Sequence, residues 1–256
     1  VKLKDIVRSV QQDLPITMRM DDWLTQPNPL YSDKAKTLAS AVFNQELGGN
    51  RRRKQPFRSS SMGMCKRRRL FAGAGFAEHG AIDAKLGNIF GTGNFLHLKW
   101  QMAGLTEGWL SEAEIALDKP SVRFGGTLDG KLFDGSGFEF KTIHSAGFAQ
   151  VMAYGPKALH VLQVHSYMLL DESITAFSIV YEDKGTSEWR EFRVQRDDQT
   201  ISVVNEELEI LNRHWEQKSL PKMLPDCETK EGSTYRNCPF REICPKMRRL
   251  DDTPGA

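Results

Sequence analysis

Glu139 and Lys141 stand two residues apart in "GSGFEFKT", alternating with Phe138 and Phe140. A period of two predicts a half-buried strand with one aromatic face and one face carrying an acid and a base. That pair suits a site that holds a cation and activates a water against a phosphodiester, and it equally suits a soluble sheet surface. A Glu-x-Lys triplet alone decides nothing, since about one is expected by chance in a chain of this length. Asp129 adds to it. It ends the run "VRFGGTLDG" ten residues upstream of Glu139, and "DGSG" at 134–137 reads as hairpin punctuation. A hairpin there sets Asp129 beside Glu139. Neighbouring carboxylates repel each other unless a divalent cation lies between them. Oxygen ligands with open water positions suit Mg2+ or Mn2+.

Further residues fall around this core. Gln163 and Tyr167 are four apart in "QVHSY" and share a face of a predicted helix, with His160 near that face. His97 lies inside another predicted helix, where a lone histidine is as compatible with ordinary hydrogen bonding as with metal ligation. Cys65 stands alone, whereas Cys227, Cys238 and Cys244 cluster in the polar segment "DCETKEGSTYRNCPFREICPKM". Four thiolates can close a zinc site or hold an iron–sulfur cluster. The other reading is four unrelated buried thiols. A segment with so few apolar residues gains little from burying three cysteines and needs a staple, which a metal can supply.

These residues need elements to carry them. The predicted helices cover residues 2–14, 33–46 with Ser32-Asp33 as its cap, a basic stretch from Cys65, and 92–103 with Phe95, Leu98 and Met102 on one side. Three strands follow in "EAEIALD", "SVRFGGTLDGKLF" and "GFEFKT". After a Gly-containing loop, Pro156 opens a helix through "KALHVLQVHSYMLLD". Two strands, "TAFSIVYED" and "EWREFRVQR", precede a long amphipathic helix and the cysteine-rich tail. Helices, a strand meander, a helix, two strands and a helix predict an α/β fold with a mixed central sheet flanked by helices, N-terminal helices and a C-terminal cysteine-rich tail. Residues 1–256 read as a single domain, with a helical N-terminal extension over 1–60 and the tail over 220–246.

A net charge of +2 excludes a strongly basic carrier but hides the basic runs at 51–54 and 66–69, which suit either a nucleic-acid backbone or a solvated surface. Phe57, Phe71 and Trp100 read as core rather than as base-stacking residues. No apolar run reaches membrane-spanning length and the first residues carry no leader pattern, so the chain reads as cytoplasmic, without membrane contact.

Helical His97 in "GTGNFLHLKWQ", Asp129 in "GGTLDG", Glu139-x-Lys141 in "FEFKT" and Gln163-x3-Tyr167 in "QVHSY" resemble, in this order, RecB-type nucleases of the PD-(D/E)XK superfamily. Cys65 before a basic helix and the three C-terminal cysteines resemble its iron–sulfur subgroup, which includes the CRISPR-adaptation nucleases and the nuclease domain of AddB. The resemblance covers about residues 60–246. It implies a metal-dependent DNA exonuclease acting on single strands or DNA ends, in a bacterial cell or phage-infected host, with a recombination or helicase protein as partner. His97, Asp129, Glu139 and the Phe140 carbonyl would hold Mg2+ or Mn2+. Lys141 would act on the attacking water, and Gln163 and Tyr167 would position DNA or the site's framework. Glu114, in "EAEIAL", matches an upstream acidic residue only loosely. Cys65, Cys227, Cys238 and Cys244 would bind a [4Fe–4S] cluster. The spacing departs from the subgroup's C-x2-C-x5-C, because ten residues separate Cys227 from Cys238. Four soft ligands without paired C-x2-C knuckles favour the cluster over zinc. The alternative is a non-catalytic DNA-binding or metal-stapled scaffolding subunit on a degenerate nuclease fold.

Overall fold

Strand alternation builds one sheet, and amphipathic helices bury their apolar faces on both of its sides. The computed structural model describes residues 10–11, 15–27, 29–48, 55–78 and 84–252. The described strands are β1 (Val10–Gln11), β2 (Phe57–Arg58), β3 (Leu110–Lys119), β4 (Phe124–Leu132), β5 (Gly137–Ile143), β6 (Ala176–Asp183) and β7 (Trp189–Gln195). They run in the order β1-β7-β6-β5-β4-β2, with β3 on the other edge of β4. The β5–β6 and β2–β4 pairs are parallel and the rest antiparallel, so the expected mixed sheet is the observed one.

The helices are α1 (Pro15–Leu24), α2 (Asp33–Gly48), α3 (Lys66–Gly73), α4 (Ala84–Glu107), α5 (Ser145–Tyr154), α6 (Ala158–Leu170), α7 (Asp198–Glu216) and the short α8 (Pro225–Glu228) and α9 (Gly232–Arg236). A parallel strand pair needs a long crossover, and α5 with α6 provides it for β5 and β6. In α7, Ile201, Val204, Leu208 and Leu211 recur at helical spacing and are buried, and Asp197 caps the helix by accepting from the Thr200 N–H. They join Leu70, Phe71, Val161, Val164, Met168, Phe177 and Ile179 in one apolar cluster. The other cluster packs Ile16, Met20, Trp23 and Trp100 against Phe138, Phe140 and Val180. The aromatic side of β5 is therefore buried under α1 and α4.

Several elements differ from expectation. Val10 and Gln11 pair with Val194 and Arg193 as an edge strand rather than continuing a helix over 2–14, whose other residues lie outside those described. Residues 57–58 likewise join the sheet, so the N-terminal extension is not helical throughout. The stretch after β5 is a helix, α5, capped by His144 and anchored by Phe148 and Val151. Its internal Gly147 hides it from propensity. The cap on α6 is Lys157, which follows Pro156, and α4 extends past both ends of residues 92–103. Phe95 is exposed and meets Phe43 instead of the core, with ring centroids 6.0 Å apart. Phe57, Phe71 and Trp100 are fully buried. Ser32 caps α2 as expected, accepting from the Ala35 N–H at 3.3 Å. Among the described residues, no helix is long and apolar enough to cross a membrane.

The basic run of α3 points inward in part. Arg69 is ion-paired with Glu207 of α7, and Arg67 donates to the carbonyls of Pro221, Cys244 and Met247. These two arginines are structural and are not available to a nucleic-acid backbone. Residues 51–54 lie outside those described.

Glu191 of β7 docks α1, its Oε2 accepting from the Ile16 N–H at 3.1 Å. Burial raises its carboxyl above 4.5, against the lowering by the Ser178 hydroxyl and the N–H groups it accepts from. The folded state then holds this proton more tightly than the unfolded one. Its contribution is complete below pH 4.5 and is lost as pH rises through the folded pKa. Glu191→Gln removes that titration, so the variant should gain in Tm relative to wild type as pH rises from 4.5. A Tm difference that stays constant across that range contradicts this account.

Candidate active site

The sheet opens between β4 and β5. On that edge, β4 pairs with β2 at Phe124 and Gly125 and with β5 at Gly130 and Lys131. The hairpin register, carried one step further, sets Asp129 opposite Glu139, as the turn spacing predicted. There the Asp129 carboxylate replaces the ladder, its Oδ2 accepting from the Phe140 N–H at 2.8 Å. A cavity of about 260 Å³ occupies the opening. His97, Asp129, Glu139, Phe140, Lys141, Gln163 and Tyr167 all line it.

Each side chain reaches it from a defined element. From α4, His97 Nε2 lies 3.2 Å from Asp129 Oδ2, and the His97 ring stacks on Phe140 with centroids 6.0 Å apart. On β5, Lys141 is ion-paired with Glu139 Oε1. Helix α6 presents Gln163 and Tyr167 one turn apart, as their spacing required. Gln163 Nε2 donates to Glu139 Oε1 at 2.8 Å, and the Tyr167 hydroxyl donates to the Thr127 carbonyl at 2.7 Å. His160, one turn earlier, pairs instead with the Tyr181 hydroxyl at 2.7 Å, and burial with Lys141 and Lys157 pulls its pKa down to about 3.

Burial sets the electrostatics. It pushes the Glu139 carboxyl up to about 7, with Asp129 adding to the rise and Lys141 and His97 opposing it. Burial also opposes ionisation of Asp129, but His97, Lys141 and the Phe140 N–H outweigh it and hold that carboxyl below its usual value. Burial works against the His97 and Lys141 cations too. Asp129, Glu114 and Glu139 overcome it for His97, and Glu139 with Asp129 overcomes it for Lys141.

Does this set of donors fit a divalent cation? Among the described residues, no three His, Cys, Asp or Glu side chains already stand as a formed metal cage. The side chains are turned into ion pairs with one another. Two buried atoms are nonetheless left over. Glu139 Oε2 has no hydrogen-bond partner among the described residues, and His97 Nε2, although close to Asp129, lacks hydrogen-bond alignment. An orphaned carboxylate oxygen beside a second carboxylate and an imidazole is a donor set that suits Mg2+ or Mn2+.

Gln101 and Glu114 also line the cavity. Gln101, one turn after His97 on α4, donates to Glu114 Oε1 at 2.9 Å and to the Asp129 carbonyl at 2.8 Å. The four-residue spacing from His97 was the available signal. Glu114, loosely matched before, has a left-handed φ of 54°, and the β3–β4 register skips it. Backbone strain of this kind gathers at functional sites. Gly126 explains part of "GGTLDG": a Cβ there would meet Ser59 Oγ and Tyr167 at 2.8 Å.

The cysteines also converge. Cys65, which precedes α3, joins Cys227, Cys238 and Cys244 around a small cavity of about 10 Å³. All four are thiols without disulfides. Burial raises the Cys227 and Cys244 thiols, and in both cases Cys65 and Cys238 add to the rise. The ten residues between Cys227 and Cys238 hold the end of α8 and all of α9, and they leave Cys227 beside the others.

No protein-family model matches the chain, nor does any curated protein. Solved structures do. An alkaline exonuclease from Laribacter hongkongensis, LHK-Exo, aligns at 15% identity over 64% of this chain and 90% of its own, with a TM-score of 0.47. Its complex with dAMP aligns at 16% identity over 63% and 88%, with a TM-score of 0.50. The structure of SSO0001 aligns at 16% identity over 82% and 95%, with a TM-score of 0.51. This chain shares its fold with an exonuclease. The α/β core with its mixed sheet is thus the fold that LHK-Exo and SSO0001 also adopt.

Gln101 gives the site a structural test. Gln101→Leu takes the buried partner from the Asp129 carbonyl and a half-buried one from Glu114, which costs about 1–3 kcal/mol. Urea denaturation should show a loss of that size. A variant within about 0.5 kcal/mol of wild type, as for an unimportant surface change, rules this role out.

Proposed function

We propose that this chain is a metal-dependent deoxyribonuclease that hydrolyses phosphodiester bonds, acting as an exonuclease on single-stranded DNA or DNA ends. The observation that carries it is the buried Glu139 Oε2, without a hydrogen-bond partner among the described residues, beside Asp129 and with Lys141 in the same cavity. Residues 1–256 would form one nuclease domain, and a recombination or helicase protein would be the partner chain. The exonucleolytic mode is supported by the resemblance of the ordered motifs and by the shared fold with a protein seen in complex with dAMP, a nucleoside monophosphate of the kind exonucleases release.

Asp129, Glu139, His97 and the Phe140 carbonyl would hold Mg2+ or Mn2+. When bound, such a cation lowers the pKa of water and takes up charge on the phosphoryl oxygens. The remaining work falls to the chain. Lys141 must leave its ion pair with Glu139, and its ammonium then orients the attacking water and offsets the negative charge of the transition state. Gln163 fixes Glu139 through Oε1, which would leave Oε2 free to hold a cation. Tyr167 fixes the Thr127 carbonyl and with it the course of β4. Its hydroxyl stays protonated, because burial together with Glu139 and Asp129 raises its pKa well above 10.

Cys65, Cys227, Cys238 and Cys244 would hold a [4Fe–4S] cluster. Four thiols around one small cavity support a single shared site, and zinc is the alternative occupant of the same donor set.

Two experiments test this reading. Purified Lys141→Ala should keep its fold and lose cleavage of a labelled single strand by about 10²–10⁴-fold. Mn2+ should raise its Tm at least as much as that of wild type, because Glu139 no longer has to leave an ion pair. Wild-type protein that cuts no DNA with Mn2+ or Mg2+ sinks the nuclease reading, and near-wild-type turnover in the variant removes Lys141 from the site. Cys65 and Cys227 are more than 150 residues apart, so a site joining them restrains the unfolded chain by about 5 kcal/mol on the disulfide analogy. Cys65→Ser should lose iron and sulfide, melt lower and yield residues 220–250 to protease faster, with cleavage persisting in the folded fraction. Wild-type protein that contains neither iron nor zinc, with a tail equally protected in both forms, separates the four cysteines.

A further inference from the structure

A second cavity, of about 340 Å³, opens beside the active site and shares Asn94, His97, Phe140 and Lys141 with it. It lies on the side away from α6. Its outer wall is Ile89, Phe90 and Gly93 of α4, and Thr142 of β5 and Lys184 close it. Two features of this wall are unusual for a surface. Phe90 and Ile89 are 52% and 41% exposed on adjacent positions, although α4 has a buried face available. Lys184 has no carboxylate partner among the described residues, and its Nζ has only a long contact of 3.4 Å with the Ile89 carbonyl. An aromatic ring and an unneutralised ammonium thus face one concavity, joined to the reacting centre at Lys141.

We propose that this second cavity is a subsite for the nucleotide flanking the scissile phosphate, with its base against Phe90 and its phosphate on Lys184. The inference rests on the nuclease reading above and goes further, because it selects an unpaired strand as substrate. A base within a duplex has both faces covered by its neighbours, so only an unstacked base reaches Phe90. Stacking of this kind tolerates any base, since every base has a π face. One ammonium beside the ring provides the matching contact for the backbone.

The test uses the full chain with Mn2+ and two substrates. One is a single-stranded oligonucleotide. The other is bis(p-nitrophenyl) phosphate, a small phosphodiester with no flanking nucleotide for the second cavity. Phe90→Ala should raise KM for the oligonucleotide about tenfold, as loss of one stacked base does, with kcat within about twofold. Lys184→Ala should raise KM as well and should reduce the slope of log kcat/KM against log salt by about 0.7, the loss of one single-strand phosphate contact. Neither variant should change hydrolysis of the small phosphodiester. If wild type hydrolyses both substrates and the variants keep the wild-type KM and salt slope, the subsite is overturned and the nuclease reading stands. If the variants lose hydrolysis of both substrates alike, these residues support the fold and the subsite is again overturned. If wild type hydrolyses neither substrate, both readings fall.

Discussion

Backbone groups that leave a sheet ladder inside a protein must find other partners, and β4 makes that demand between Gly126 and Asp129. One edge of β4 follows β3, while the other is shared by β2 at one end and β5 at the opposite end. Between those contacts the strand faces open space. Side chains complete the ladder there: Tyr167 serves the Thr127 carbonyl, Gln101 serves the Asp129 carbonyl, and Asp129 itself serves the Phe140 N–H. The same three side chains line the cavity. Satisfying the backbone and shaping the site are thus one arrangement, so a change in any of the three disturbs both.

That opening also sets the charge problem. Asp129 and Glu139 are buried close together, and burying one ionised carboxylate is costly enough without a second nearby. The protein divides the burden unequally. Asp129 stays ionised with His97 and an N–H as partners, while Glu139 is pushed to about 7 despite Lys141. One carboxylate is therefore settled and the other is poised. A group whose charge is this poorly compensated by the fold has the most to gain from an added cation. Lys141 offsets the charge of Glu139, and a cation would compete with it for the same carboxylate.

Much of this was legible because it depends on short-range periodicity. Glu139 and Lys141 share a strand face through the period of two, Asp129 follows from the length of one hairpin, and Gln163 and Tyr167 follow from one helical turn. Each rule spans a few residues and survives any tertiary arrangement. What remained hidden depends on distant partners. Arg67 and Arg69 sit in a run that looks like a solvated basic surface, yet both are buried because the tail carbonyls and Glu207 lie more than 130 residues away along the chain. Val10 and Phe57 become strand residues only because β7 and β4 offer them an edge. Phe95 fits an apolar stripe of α4 by spacing, but the face that packs on the sheet carries Leu96, Trp100 and Ala103, so Phe95 meets Phe43 instead. Gln101 escaped notice because an amide carries no charge to mark it, and its role depends on a strained Glu114 across the cavity.

The cysteine cluster and the candidate active site are connected by a short piece of chain. Phe57 and Arg58 pair with Phe124 and Gly125 at the edge of the opening, Ser59 packs on Gly126, and Cys65 follows within two turns of chain. Arg58 and Ser60 line the active-site cavity itself. Two residues beyond Cys65, Arg67 grips three tail carbonyls, Cys244 among them, at 2.8–3.2 Å. These hydrogen bonds seat the tail, and its cysteines gather around one small cavity. Two of them resist ionisation: burial and the neighbouring thiols raise Cys227 and Cys244, with the Arg67 guanidinium the opposing influence on both. Four thiolates held this close would be tolerable only around positive charge, which a cationic occupant would supply. An occupant there would stiffen the segment from Cys65 back to Arg58, and so hold the β2 side of the active-site cavity in place across the whole fold.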